Sequence, residues 1–251
     1  MAKKYILKGD LHLHTDCSLT LPISQKPHVF YSPAQAVRQA FEIELDFLAI
    51  TDHDSIEGVK KAQREAKKIF KKTGKKIIVI PGEEITTSSL TIKNFPLPIP
   101  GPHILAYGIK KRVPPFLTIK ETIRRIHAQA GLAVAAHPFH RGLISIGKRV
   151  ALFPFDGIEV YNVSNRVRRD QKAREFAQKL NLKEFGGSDA HLLTAIGAGL
   201  TVVVSEKPVA NWQGVLKLIM KGKARVVPNG KRKMMKRIDI LKGLAGIYQR
   251  Y

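Results

Sequence analysis

Apolar residues recur in short runs, and most runs are followed by a longer stretch in which they return at helical spacing. Residues 47–50, 77–80, 104–109, 132–136, 157–161 and 201–204 are near-continuous apolar runs of strand length. Such runs belong to strands covered on both faces. Residues 34–42, a basic stretch stopping near Gly74, and residues 118–131, 166–180 and 210–220 read as helices. Ser32-Pro33 reads as an N-cap followed by proline at the first helical position, and Ser55 as the cap of the basic helix. Thr118 with Glu121 forms a capping-box pattern, and Gly131 is expected to close that helix. Residues 18–32 and the Pro-rich residues 95–102 read as loops.

Strands alternating with helices predict a parallel sheet covered by helices. About seven such units in a chain this long favour an α/β barrel over an open sheet. No glycine-rich dinucleotide turn or Walker-type loop follows any of the runs, which argues against those chemistries. Residues 1–205 are expected to form one barrel domain. Residues 206–251 are expected to be a basic C-terminal extension, packed on that domain or completing it.

Charge changes the picture. The 251 residues hold 43 Lys+Arg against 20 Asp+Glu, a formal net charge of +23. Basic residues gather at 60–76, at 166–174 and from 207 to 237, and the last stretch contains no acid. So large an excess favours a polyanionic partner, with nucleic acid or a nucleotide the usual one. No apolar stretch is long enough to span a membrane. The first residues lack a signal-peptide pattern, so a cytoplasmic protein is expected. Cys17 is the single cysteine, which excludes an intrachain disulfide or a cysteine-based zinc knuckle.

The candidate chemistry sits where the strands end. Asp10-Leu11-His12-Leu13-His14 reads as a buried strand ending in two histidines at i and i+2, and such positions face the same side. Asp52-His53-Asp54, Glu83-Glu84, His103, His137 and Asp189-Ala190-His191 each lie at the end of another apolar run. Parallel α/β barrels build their sites at those ends. His12, His14, His53, Glu84, His103, His137, Asp189 and His191 exceed what one ion needs. Imidazole and carboxylate without thiolate suit two or three divalent ions of zinc, manganese or iron. Such sites are suited to phosphate-ester hydrolysis, because adjacent ions polarise the phosphoryl oxygens and activate water.

The runs DLHLHTDCS, FLAITDHDSIEG, VIPGEEIT, HILAYGI, AAHPF, DGIEVYN and GGSDAH, in this order over about residues 8–200, resemble the polymerase-and-histidinol-phosphatase (PHP) superfamily. The resemblance implies a distorted TIM-like (β/α)7 barrel and a two- or three-metal phosphoesterase site. It implies that His12, His14 and Asp189 bind a first metal, that Glu84 bridges to a second completed by His103 and His137, and that His53 and His191 bind a third. Glu83, next to Glu84 on a strand, should point away. Asp189, Glu84 and His191 are the candidate catalytic residues. The chain departs from the family five and six residues after His14. Leu19 and Thr20 stand where the family has an Asp or His for the third metal, so Asp16 or His28 must substitute or the third site is weak.

Other residues have softer roles. Asp10 could support the first metal's ligands or bond backbone amides, and Asp52 or Asp54 could orient an imidazole or cap a helix. His140 and Arg141 could contact a phosphate, Arg141 through a bidentate pair. Glu159 matches the family without being a clear ligand, and His127 reads as structural. The leading expectation is hydrolysis of a phosphate ester, of a nucleotide or nucleic-acid end, by metal-activated hydroxide. The alternatives are a non-catalytic RNA- or DNA-binding subunit like the ribonuclease P protein of this fold, and a small-molecule phosphatase of the histidinol-phosphate type.

Overall fold

The computed structural model describes residues 4–19, 29–90, 99–140 and 142–229. Its strands are β1 (Tyr5–Asp10), β2 (Phe47–Ile50), β3 (Ile78–Leu90), β4 (Ile99–Tyr107), β5 (Leu132–Ala135), β6 (Gly157–Asn162), β7 (Lys183–Gly187), β8 (Gly199–Ser205) and β9 (Ala224–Pro228). The helices are α1 (Pro33–Glu42), α2 (Glu57–Thr73), α3 (Ile119–His127), α4 (Val167–Lys179) and α5 (Trp212–Met220). Among the described residues the strands form one nine-stranded sheet in the order β7-β6-β5-β4-β3-β2-β1-β8-β9. A parallel bridge between Leu13 and Ala190 joins the segment after β1 to the segment after β7. The sheet thus nearly closes into a distorted, TIM-like α/β barrel.

The sheet is mixed, not wholly parallel. β1-β2-β3 and β5-β6-β7 run parallel within each set, while β4 is antiparallel to both neighbours. β8 is antiparallel to β1, and β9 to β8. The β3–β4 hairpin accounts for the reversal of β4. The strand expected at 77–80 runs on through Pro81 to Leu90, and β4 already includes Pro100 and Pro102 of the expected loop. Proline lacks the ladder N–H, so strands tolerate it at irregular places. Pro100 pairs with Ser88 where the register shifts.

Local signals explain most helix boundaries. Ser32 and Gln35 form a reciprocal capping box, with Pro33 opening α1. Gly74, at φ 74°, ends α2 and donates to the Phe70 carbonyl. Two signals act differently from expectation. Ser55 accepts the Glu57 N–H, but Ile56 is the N-cap of α2. Thr118 caps α3 through the Glu121 N–H, while the Glu121 carboxylate turns to Arg124 and Arg125. The left-handed residue after α3 is Ala130, at φ 56°, not Gly131. Gly131 serves packing, since a Cβ there would lie 2.8 Å from Ile109 Cγ2.

One apolar cluster fills the space between the sheet and α1 to α4, with Leu48, Ile50, Ile85, Ile104 and Ile158 fully buried. A second gathers Leu11, Phe47, Tyr107 and Phe185 with the buried face of α5. Residues 206–229 therefore continue the fold: α5 covers part of the sheet and β9 extends it. No helix among the described residues is long and apolar enough to cross a membrane.

Candidate metal centre

Two chain segments are laced together at the mouth of the barrel. The β1 ladder ends at Asp10, but the chain stays extended: the His14 N–H donates to the Ala190 carbonyl at 3.1 Å and the Asp189 N–H to the His12 carbonyl at 2.7 Å. The i, i+2 alternation persists, so His12 and His14 bring their Nε2 atoms within 3.2 Å of each other. Asp189 Oδ1 lies 3.1 Å from His14 Nε2. Asp189 is held at φ 53° and His137 at φ 25°, conformations that L residues seldom adopt and that gather at functional sites.

Glu84 is the hub. It lies inside β3 and is buried, and its two oxygens face different imidazoles. Oε1 is 3.0 Å from His103 Nδ1 and 2.9 Å from His137 Nε2. Oε2 is 3.0 Å from His53 Nδ1, 3.3 Å from His14 Nε2 and 3.4 Å from His12 Nε2. Glu83 points away, as alternation along a strand requires, and accepts the Val113 N–H at 2.9 Å. The structure thus brings all the candidate ligands together. His191 is the outermost: its ring lies 4.5 Å from that of His14, and its Nδ1 is 3.0 Å from the Asp189 carbonyl.

Among the described residues, three sets of donor atoms lie close enough to hold an ion: His12, His14, Glu84 and Asp189; His53, Glu84 and His103; and His14, His53 and His191. The donor chemistry fits divalent cations. Glu84 Oε2 is buried without a hydrogen bond, although ring nitrogens surround it. His12 Nδ1 meets Glu159 Oε1 at 2.8 Å, which turns Nε2 toward the cluster; burial alone would lower His12, but Glu159, Asp189 and Glu84 hold it well above the ordinary histidine range. Burial, reinforced by neighbouring His191, lowers His14 to about 4. Burial and His14 hold His53 well below the ordinary histidine range. Both rings are neutral donors at pH 7. Burial alone would raise Glu84 and Asp189, but the imidazoles around them win and hold both far below the usual carboxylate range.

Supporting carboxylates complete the frame. Asp10 accepts backbone N–H groups from His12 (3.2 Å), Ser188 (2.9 Å) and Gly197 (2.8 Å), which anchors the loops bearing His12 and Asp189. Its burial raises it to about 6 despite these bonds. Asp52 binds the Thr15 amide and hydroxyl and the Ser18 hydroxyl, and Asp54 accepts the Thr86 N–H. These bonds tie loops together; they neither orient an imidazole nor cap α2. Glu159 also accepts the His137 N–H at 2.7 Å, and Asn162 Nδ2 donates to Glu159 at 3.1 Å and to Asp189 Oδ2 at 3.2 Å.

Asn162 carried no separate signal, because Glu159 and Asn162 are three apart and would face opposite sides of a regular strand. An irregularity between Glu159 and Tyr161 in β6 turns them to one side. His103 is not at the end of a parallel strand but within β4, opposite Thr86. His140 lies beside the cluster, its ring 5.9 Å from that of His137. Arg141, Thr20 and His28 lie outside the described residues. Leu19 is half exposed and bonds only through its backbone to the His53 carbonyl, and Asp16 is exposed outside the three donor sets. His127 is structural: it pairs with Asp156 at 2.8 Å at the end of α3.

Comparison with known proteins agrees with this architecture. The model of a family described as PHP-associated matches residues 168–224. The uncharacterized protein MJ1587 of Methanocaldococcus jannaschii is 28% identical over 186 residues, covering 69% of this chain and 95% of that protein. Among solved structures, PsfC from Pseudomonas syringae aligns with a TM-score of 0.61 and 17% identity, over 95% of this chain and 99% of its own. An amidohydrolase from Chromobacterium violaceum aligns at 0.58 and 16% identity, over 86% and 96%. A candidate metal-dependent phosphoesterase from Bifidobacterium adolescentis aligns at 0.55 and 17%, over 84% and 94%. At these identities the structures speak for the fold. The PHP-associated model accounts for residues 168–224 alone.

Proposed function

We propose that this protein belongs to the PHP superfamily and is a metal-dependent phosphoesterase acting on a nucleotide or a nucleic-acid end. The observation that carries the reading is Glu84, a buried carboxylate whose two oxygens face separate sets of imidazoles and whose Oε2 lacks a hydrogen bond. That placement suits a bridge between two cations. His12, His14 and Asp189 would hold one, and His103 and His137 the other. His53 and His191, with His14, would hold a third. Zinc, manganese and iron all suit these donors.

Bound ions supply Lewis acidity toward the phosphoryl group and hydroxide near neutral pH. The protein supplies orientation. Glu159 keeps the proton of His12 on Nδ1, and Asn162 holds Asp189 Oδ2 so that Oδ1 faces the cluster. Neutral His14 and His53 stay available as donors at pH 7. His191, whose side chain is 38% exposed, stands where a substrate enters. The net charge of +23 favours a polyanionic nucleotide or nucleic acid over a small sugar phosphate or histidinol phosphate.

The test is metal-reconstituted protein assayed against nucleotides, sugar phosphates, histidinol phosphate and short oligonucleotides. We expect about two to three ions per chain by elemental analysis. Hydrolysis should be lost in His12→Ala and Asp189→Ala with the circular dichroism spectrum unchanged. Undiminished hydrolysis in the double variant would overturn the reading. The same charge favours a second reading, a non-catalytic nucleic-acid-binding protein on this barrel. It predicts oligonucleotide binding with no hydrolysis of any ester.

A further inference from the structure

We infer that the end of the barrel opposite the His/carboxylate cluster is a docking groove for single-stranded nucleic acid. The cluster follows the C-terminal end of β1 and the middle of β3. Two adjoining grooves instead flank the starts of these strands, where Tyr5 pairs with Ser205 and β3 opens at Ile78. The first, of about 480 Å³, is walled by α2, the start of β3 and the start of α5. Lys67, Lys71 and Lys76 stand on its walls with Phe70 and Trp212. The second, of about 620 Å³, runs beneath α5 and carries Lys4, Lys207, Lys217, Lys221 and Lys223. Ala210 lines both, so the two adjoin at that residue. Among the described residues lining them, Glu206 is the one carboxylate.

The chemistry selects the partner. Lysines spread along a concave path suit a chain of phosphates, and the exposed Phe70 ring, with the partly buried Trp212 beside it, suits an unstacked base. Phe70 is 51% exposed, an unusual place for a large apolar ring on a lysine-rich helix. Trp212 lies in the same wall, beside Asn211. A lipid bilayer would meet a convex basic face, whereas these lysines surround a depression. The groove is independent of hydrolysis, so it stands whether or not the phosphoesterase reading holds.

Trp212 is the only tryptophan in the chain, so its emission reports the groove directly. The full-length, metal-loaded protein is titrated with a short oligothymidylate. Saturable quenching is expected, with an affinity that falls steeply as salt rises. The triple variants K67Q/K71Q/K76Q and K217Q/K221Q/K223Q should each weaken binding by about 10-fold or more. Each should also flatten the log–log salt slope by about 0.7 for every phosphate no longer neutralised. Circular dichroism checks that these surface changes leave the fold intact. His12→Ala/Asp189→Ala protein should bind as wild type does, which separates failure of the groove from failure of the metal centre. Absent quenching, triple variants that bind like wild type, or phosphatidylserine vesicles that displace the oligonucleotide would overturn the inference.

Discussion

His12 and Glu159 lie 147 residues apart in the chain, yet Nδ1 of one and Oε1 of the other meet at 2.8 Å with both side chains buried. The carboxylate decides which ring nitrogen carries the proton, and so which one is free to bind an ion. Glu159→Gln keeps the shape but no longer supplies the negative charge. We expect metal affinity to fall by about 10- to 100-fold, read by competition with a chelating dye, while the melting temperature of the metal-free protein changes little. An unchanged affinity would leave Glu159 as a loop anchor only.

Adjacent carboxylates should respond oppositely to the same substitution. Glu84→Gln removes the hub charge, and bound metal should be lost. Glu83 is buried beside Val113, and burial raises it to about 8 from 4.5. The folded state therefore binds a proton that the unfolded state has released between those values. This contribution to stability is fully present below about pH 4.5 and is lost as pH rises through 8. Denaturant titrations of Glu83→Gln and wild type should diverge across this window in favour of the variant, by up to on the order of 4 kcal/mol. Parallel curves would show that Glu83 is ionised in the fold.

Gly187 ends β7 against the backbone of His12, where an added Cβ would lie 2.4 Å from the His12 amide nitrogen. Backbone cannot yield as a flexible side chain would. Gly187→Ala should therefore shift the His12 segment and cost stability and metal together, by about 3 kcal/mol or more on unfolding. A variant with wild-type metal content and melting temperature would contradict this packing.

Asp10 serves three backbone N–H groups with two oxygens. Asn retains one acceptor, so Asp10→Asn leaves at least one buried amide without a partner, at about 1–3 kcal/mol. Since those amides belong to His12, Ser188 and Gly197, the loss should appear as weaker metal binding as well as a lower melting temperature. Asp46, which accepts the Lys8 N–H far from the cluster, supplies the control: Asp46→Asn should lower stability without touching metal affinity.

The sequence revealed the parts of the centre that rest on local periodicity. His12 and His14 converge because extended chain alternates, and the same rule sends Glu84 inward and Glu83 outward. The strand-end pattern also drew in His53, His137, Asp189 and His191. It was misleading for His103, which reaches the cluster from an antiparallel strand that the prolines at 100 and 102 disguised as loop. What stayed hidden depended on long-range register. The pairing of Asn162 with Asp189 arises from one irregularity in β6, and neither spacing nor composition announces it. Likewise Gly131 looked like a helix terminator, when it is required by the nearby Ile109 side chain.

The lacing of the His12 segment to Asp189 bears on how the protein comes off the ribosome. A nascent chain that has emerged only through β6 already carries His12, His14, His53, Glu84, His103 and His137, but it lacks Asp189 and His191 and the backbone partners that hold His12 and His14 in place. Two of the three donor sets are then incomplete, and the paired imidazoles of the first are loose. The His53, Glu84 and His103 set is already complete, whereas a full complement of ions would need the last third of the chain and would certify a finished barrel.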